Sequence, residues 1–541
     1  MLTENYHRFI KEKAILPLFF ISLLGLGTLL YGDYPVAYDE TLCRDRGRLG
    51  WGYVTEGKPG LLSYVYRYHS TLFEIPAYGL EKVLGFSGSN AMLFRHFLIF
   101  LSFYVGVALF FTLCKRHYNS WGAGLVCCLL LVLSPRIFGS AFYNSKDIPF
   151  MTVSIAGLLT LFWLLERVDS KRILAHSLVT AAMIDLRLMA LVMPVLTVLS
   201  VSLTANSPRL KNRLLLCTLY LISTSAFVIL MWPLLWTDPA GHFLEALTLM
   251  SHYPPKDFQL YNGVHYNTND FPWHYIPVWI TITTPLTYTI GFLAFVLPFI
   301  VGAVINLKRV LIQRKKIRET ILLAWITVPI IAWIVLGSTT YSTWRHFFYI
   351  YPAFVLLTFQ GLENIIRGGR VLTGDASYAL IIVMAVLSAD LWTTANFMVR
   401  NHPYEQFYFN RLAGENMSVI QKMYTITYWR VANKDALEYV LSHDNRGSIP
   451  VYFNLKQSVP LNVQLIGKDA DRIKVVDNVI NSDYSVIEVS DMFEQYCRTK
   501  GFMEVHSLEI DGVSVMKVYH RCDQNRSICP QKKSCVRDSL P

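Results

Sequence analysis

Residues 176–203 read "HSLVTAAMIDLRLMALVMPVLTVLSVSL". Whether this stretch is one membrane helix or two decides on which side of the membrane everything after it lies. As a single helix it would carry Asp185 and Arg187 near its centre. A charge at mid-bilayer costs about 2.5–3.5 kcal/mol even on the mildest insertion scale. A turn at the membrane face that leaves both residues at the surface is the cheaper solution, so the stretch reads as two spans, 173–186 and 188–204.

Working outward, apolar runs of the length that crosses a bilayer recur at 14–31, 94–114, 121–135, 148–165, 214–235, 276–305, 320–338, 347–362 and 376–397. That makes eleven spans. With the N-terminus placed in the cytoplasm, the inner ends and turns hold 19 basic residues, six of them between 308 and 318. The outer loops after the first hold only Arg136, Lys146, Arg187, Lys256 and Arg345. Merging 173–204 into one span would reverse this asymmetry for every later loop, against the positive-inside rule.

Composition agrees. Of 541 residues, 53% are hydrophobic and 16% charged, against about 25% charged in soluble chains. The net charge of +11 follows from topology, and nucleic acid is not an expected partner. The N-terminal apolar run is too long for a signal-peptide core and lacks a small-residue cleavage site, so an uncleaved first helix is expected. An odd number of spans places the region beyond about 400 outside. There "KDALEYVLSHD" reads as an amphipathic helix, and "SIPVYFNL", "RIKVVDNVI", "YSVIEVS" and "VSVMKVYH" read as strands. The expected division is a membrane domain over 1–400, an outer α/β domain over 401–522 and a flexible basic tail over 523–541. Cys497, Cys522, Cys529 and Cys535 lie in the outer region, where an oxidising compartment would permit one or two disulfides.

The first outer loop, 32–93, is long and aromatic; "SYVYRYHSTLFEIPAYGLEKVLG" reads as a helix lying in the interface. The outer loops also collect the chemistry. Asp39 and Glu40 follow the first span; Arg136, Lys146 and Asp147 lie in "SPRIFGSAFYNSKDIPFM" (134–151); Arg187 lies in "DLR", and Arg345 and His346 in "WRHFFYIYP". A carboxylate at a membrane face can accept a proton from a hydroxyl, and cations can hold a phosphate and stabilise it as a leaving group. Each residue has a plainer reading. Asp39 and Glu40 suit a solvated loop start, Arg136 and Arg187 suit interfacial anchors, Lys146 and Asp147 suit an ion pair or a helix start, and Arg345 and His346 suit a span end. Convergence on one membrane face favours the site.

These residues resemble a known family. "YDE" (38–40), "SPRIFGSAFYNSKDIPF", "FPWHYIPVWITITTPL" (271–286), "WRHFFYIYP" (344–352) and "HPYEQFYFNRLAG" (402–414) are similar, in order, to patches of the bacterial branch of the dolichyl-phosphate-mannose–protein mannosyltransferase superfamily, membrane glycosyltransferases with the C-type (GT-C) fold. The resemblance implies inverting transfer of a hexosyl or pentosyl group from a polyprenyl-phosphate carrier to a glycan, lipid or protein hydroxyl. The site would lie on the outer face of a bacterial inner membrane. It assigns the general base to Asp39 with Glu40 beside it, site-shaping to Asp147, and phosphate binding to Lys146, Arg136, Arg187, Arg345 and His346. No cofactor is firmly implied, although a divalent cation remains compatible. The chain departs from the family at "TYWRV" (427–431), where bacterial relatives often carry an aspartate and a glycine, and it lacks the domain that eukaryotic relatives insert between spans seven and eight. A flippase for a lipid-linked sugar, or a membrane scaffold using its outer domain, are the alternative readings.

Overall fold

The computed structural model describes residues 2–203, 210–251, 253, 258–306, 313–340, 343–373, 376–426, 429, 431–454, 456–467, 469–488 and 501–521. The tail beyond 521, its three cysteines, Cys497, Thr427 and Arg430 lie outside the described residues.

The chain divides into two compact units. The first, built from Met1–Tyr34, Glu40–Ser87 and Ala91–Thr425, is helical. Every stretch read as a span is mostly helical, and among the described residues six helices are individually long and apolar enough to cross a membrane: Gly88–Tyr118, Asp147–Glu166, Asn212–Met231, Leu286–Ile305, Lys315–Leu336 and Leu380–Arg400. Trp121–Val132 and Pro135–Tyr143 pass the same test together but meet at 72°. Pro135 supplies no backbone N–H to continue the first helix, and the Ser134 hydroxyl donates back to Leu130 O at 2.9 Å. Ala14–Leu30 and Leu188–Leu203 are apolar but shorter.

The stretch 176–203 is two helices. Ser170–Leu186 ends at Arg187, whose backbone is extended (φ −156°, ψ 126°), and a 3-10 turn Leu188–Leu191 leads into Val192–Leu203. Asp169 caps the first of these by accepting from Arg172 N. Elsewhere small residues let helices touch. A Cβ on Gly361 of Tyr351–Thr373 would lie 1.7 Å from Gly291 O of Leu286–Ile305, so only glycine allows this backbone-to-backbone approach.

The first outer loop is ordered around buried charge. It contains helices Glu40–Glu56 and Glu74–Leu84. Glu74, Glu81, Arg46 and Arg95 are each 2% exposed or less. Arg95 bridges both carboxylates, with Glu81 at 3.0 Å and Glu74 closer still; Arg44 reaches Glu81 at 2.7 Å and Arg46 reaches Glu74 at 3.8 Å. Later in the unit, the hairpin β1 (Phe258–Tyr261) and β2 (Val264–Asn267) turns through Asn262 and Gly263, both with positive φ, as a tight two-residue hairpin requires.

Residues 401–425, assigned by composition to the outer domain, pack within the helical unit. Tyr34 donates to Glu405 at 3.0 Å, and Asn410 Nδ2 donates to the carbonyls of Thr281 and Thr284. The second unit comprises Ile426–Pro541 with Pro35–Asp39 and Gly88–Asn90. Its five-stranded sheet runs β4–β3–β5–β7–β6, with β3 (Ile449–Phe453), β4 (Ile473–Val476), β5 (Tyr484–Glu488), β6 (Phe502–Ile510) and β7 (Val513–Arg521). β3 pairs in parallel with β4 and β5, while β7 runs antiparallel to β5 and β6. Leu437 and Val440 of helix Asn433–His443 pack on Val451, Val486 and Val518. The segment 35–39 is tied in by Asn462, which accepts from Val36 N at 2.9 Å and donates to Val36 O at 3.0 Å. The four strands read from sequence are present; β6 was missed because its Glu504, His506 and Glu509 blur the alternation on an edge strand.

Candidate active site

The turn "NSKD" is built by Asn144. Its Oδ1 accepts from Lys146 N at 3.3 Å and Asp147 N at 3.0 Å, and its Nδ2 donates to Asp147 Oδ2 at 2.8 Å. This fixes Asp147 at the start of helix Asp147–Glu166, where a carboxylate is favoured by the helix dipole. Ser145 is anchored independently, its hydroxyl donating to Glu74 at 2.7 Å. The buried charge network of the first loop therefore reaches the residue beside Lys146.

Asp147 is 1% exposed and accepts from two arginines: Arg187 Nη2, in close contact with Oδ1, and Arg345 Nη1, 3.5 Å from Oδ2. Three separated stretches, "SKD", "DLR" and "WRH", converge on one carboxylate. The physical effect of a buried anion facing two guanidinium groups is to hold the arginines in place.

In front of this cluster lies a cavity of about 270 Å³. Lys146, Arg187, His346, His69 and Asp185 bring its polar groups; Leu188, Val192, Trp232, Met250, Trp333 and Phe347 bring apolar wall. Burial first, and then the charges of Arg187, Arg345 and Lys146, hold the His346 imidazole well below the usual histidine range, so it is neutral; its Nδ1 lies 3.4 Å from the Thr340 hydroxyl. Asp185 accepts from Thr71 N at 3.4 Å.

Other expected site residues lie elsewhere. Arg136 is 1% exposed, donates from Nε to Tyr408 O at 3.3 Å and stacks its guanidinium over Phe409 at 4.7 Å and Trp279 at 5.3 Å. It does not line the cavity; it joins the 271–286 and 402–414 patches through cation–π contacts. Glu40, 2% exposed, bonds His96 Nε2 at 2.8 Å, while His96 Nδ1 faces Tyr31 O at 3.3 Å. Asp39 is half-buried and belongs to the second unit. Among the described residues, no group of three His, Cys, Asp or Glu side chains is placed to hold a metal ion.

Sequence reasoning missed His69, Asp185 and the Arg46–Glu74–Arg95–Glu81 network. The spacing of Glu74 and Glu81, seven apart on one helical face, was the available signal.

Fold and site together define a multi-pass α-helical membrane protein with a C-terminal α/β domain. No family model matches the chain, and no curated protein does. Among solved structures it is similar to ArnT from Cupriavidus metallidurans bound to undecaprenyl phosphate (TM-score 0.49, 12% identity, 93% of this chain and 98% of that one) and to the same protein in the apo state (TM-score 0.48, 11% identity, the same coverage).

Proposed function

We propose that this chain is a GT-C glycosyltransferase that moves a sugar, with inversion, from a polyprenyl-phosphate carrier to an acceptor hydroxyl on the outer face of a bacterial inner membrane. The observation that carries the reading is that the cavity wall is divided between cations, Lys146 and Arg187 with His346, and apolar side chains that include Leu188, Val192, Trp232 and Trp333. A lipid-linked sugar phosphate has this same division. The phosphate would sit at the cations, the first isoprenyl units along Leu188, Val192 and Trp333, and the rest of the tail in the bilayer.

In this scheme the acceptor oxygen attacks the anomeric carbon and its proton passes to a general base, a role that the family resemblance gives to Asp39, which does not itself line the cavity. The bond between anomeric carbon and phosphate oxygen breaks, and its electron pair leaves with the polyprenyl phosphate. The phosphate gains negative charge in this step, so fixed cations stabilise the transition state more than the bound donor. Arg187 and Arg345 need no reorganisation because Asp147 already holds them, and His346 offers a hydrogen bond without adding charge. Glu40, engaged with His96, orients the segment that carries Asp39.

Purified protein in proteoliposomes, supplied with a polyprenyl-phosphate sugar and envelope glycolipid acceptors, tests the reading through release of polyprenyl phosphate and the mass gained by the acceptor. Lys146→Gln and Asp39→Asn should each abolish release while leaving the melting profile intact. Movement of the sugar lipid across the bilayer without release of carrier phosphate would establish the flippase reading instead.

A further inference from the structure

A second cavity, of about 480 Å³, lies at the other end of helix Arg314–Leu336. Lys315, Lys316 and Glu319 of its first turns line this cavity, whereas Pro329, Trp333 and Leu336 line the first one. At 1.5 Å per residue, Lys316 and Leu336 are roughly 30 Å apart, the thickness of a bilayer core. The second cavity therefore sits at the opposite membrane surface and is independent of the proposed transfer site.

Its chemistry is that of a receptor for a phosphate with neighbours. Lys315, Lys316 and Arg367 bring three cations to the wall. Glu319 answers Lys316 at 2.8 Å and Lys315 at 4.0 Å, and Glu363 answers Arg367 at 3.0 Å. Three positive charges against two negative ones leave a surplus of one, the charge of a phosphodiester. Gln360, also on the wall, is 4% exposed. Its Nε2 donates to Glu363 at 3.2 Å, but its carbonyl Oε1 receives no hydrogen bond from the described residues. A buried acceptor left bare is costly and is satisfied by a hydroxyl donor. Pro298 and Phe299 supply apolar wall on helix Leu286–Ile305, whose Leu297, Val301 and Val304 are exposed along one stripe.

We infer that this cavity binds an anionic phospholipid whose headgroup carries a hydroxyl. The phosphodiester lies among Lys315, Lys316 and Arg367, the hydroxyl donates to Gln360 Oε1, and the acyl chains run along Leu297, Val301 and Val304. Basic pockets between membrane helices recognise lipid headgroups by this combination.

Native mass spectrometry of the full-length protein in detergent, titrated with phosphatidylglycerol, phosphatidylcholine or inorganic phosphate, tests the inference. Phosphatidylglycerol should be retained at least about tenfold more tightly than phosphatidylcholine, which corresponds to about 1.4 kcal/mol. The Lys315→Gln/Lys316→Gln variant should lose that preference, and Arg367→Gln, on another helix, should weaken it separately. Gln360→Leu should erase discrimination between phosphatidylglycerol and phosphatidylmethanol, which lacks the free hydroxyls. Lys146→Gln, at the first cavity, should leave retention unchanged. Equal retention of phosphatidylglycerol and phosphatidylcholine, or full retention by the lysine variants, would overturn the inference. Displacement of the lipid by millimolar inorganic phosphate would also overturn it, in favour of a free-phosphate site.

Discussion

Asp147→Asn keeps the shape of the side chain and removes its charge. In the native protein this carboxylate, 1% exposed, neutralises Arg345, whose side chain is 3% exposed, and Arg187, at 14%. Removing one partner of a buried ion pair costs about 3–5 kcal/mol, mostly because the remaining charge stays buried. Arg187 has partial access to water, so the lower end, about 3 kcal/mol, is the expected loss for the unliganded protein. A bound phosphate would restore an anion beside the cavity-lining Arg187. If the proposed function holds, the stabilisation conferred by a polyprenyl phosphate should therefore be larger in Asp147→Asn than in the native protein, while transfer falls because the arginines are no longer fixed. Thermal unfolding in detergent across a titration of a polyprenyl phosphate reads the unliganded stability and the ligand-induced shift. Equal stability of the two unliganded proteins, or an identical ligand-induced shift in both, would refute the assignment of Asp147 as the holder of the arginines.

Glu74→Gln should destabilise the first loop by about 3–5 kcal/mol, since it removes the anion shared by Arg95 and Arg46; faster proteolysis between 40 and 87 measures it. Gly361→Ala places a methyl 1.7 Å from Gly291 O, so the two helices must separate, costing about 1–3 kcal/mol or more and lowering the yield of monodisperse protein. His402 gives a pH signature. Burial opposes its charge, but Glu405 at 2.7 Å and Asp33 at 3.1 Å outweigh burial and raise its pKa above the ordinary value. Its contribution is then fully present below about pH 6.5 and is lost as pH rises through the elevated folded value. Melting temperatures from pH 6 to 9 should show that loss in the native protein and not in His402→Gln.

The two-helix reading of 176–203 was accessible because it rests on a large local cost: Asp185 and Arg187 are too expensive to leave in hydrocarbon, and the backbone does become extended at Arg187. The convergence of Lys146, Arg187 and His346 on one cavity was accessible for a related reason, since topology alone placed their loops on one face. Which carboxylate faces which cation was not accessible. Arg345 and Asp147 are 198 residues apart and Arg95 and Glu74 are 21 apart, and sequence shows charge type, not partner. Arg136 illustrates the limit. It lies ten residues before Lys146 in the same quoted stretch, yet its guanidinium is taken up by Phe409 and Trp279.

Helix Glu74–Leu84 shows how the first loop supports the site. A helix lying in a membrane interface usually turns its charged face to water. Here Glu74 and Glu81 are 1% exposed, whereas Leu80, Val83 and Leu84 are 45%, 76% and 57% exposed. The polar face points inward because Arg44, Arg46 and Arg95 await it, which leaves the apolar face free for the lipid boundary. With its apolar face in a bilayer boundary, this helix would link that surface through Glu74 and Ser145 to the "SKD" turn. Replacing Leu80 and Val83 with serine should leave the buried network intact in detergent but reduce transfer in proteoliposomes. Unchanged transfer in the bilayer would show that the helix braces the turn without help from the membrane.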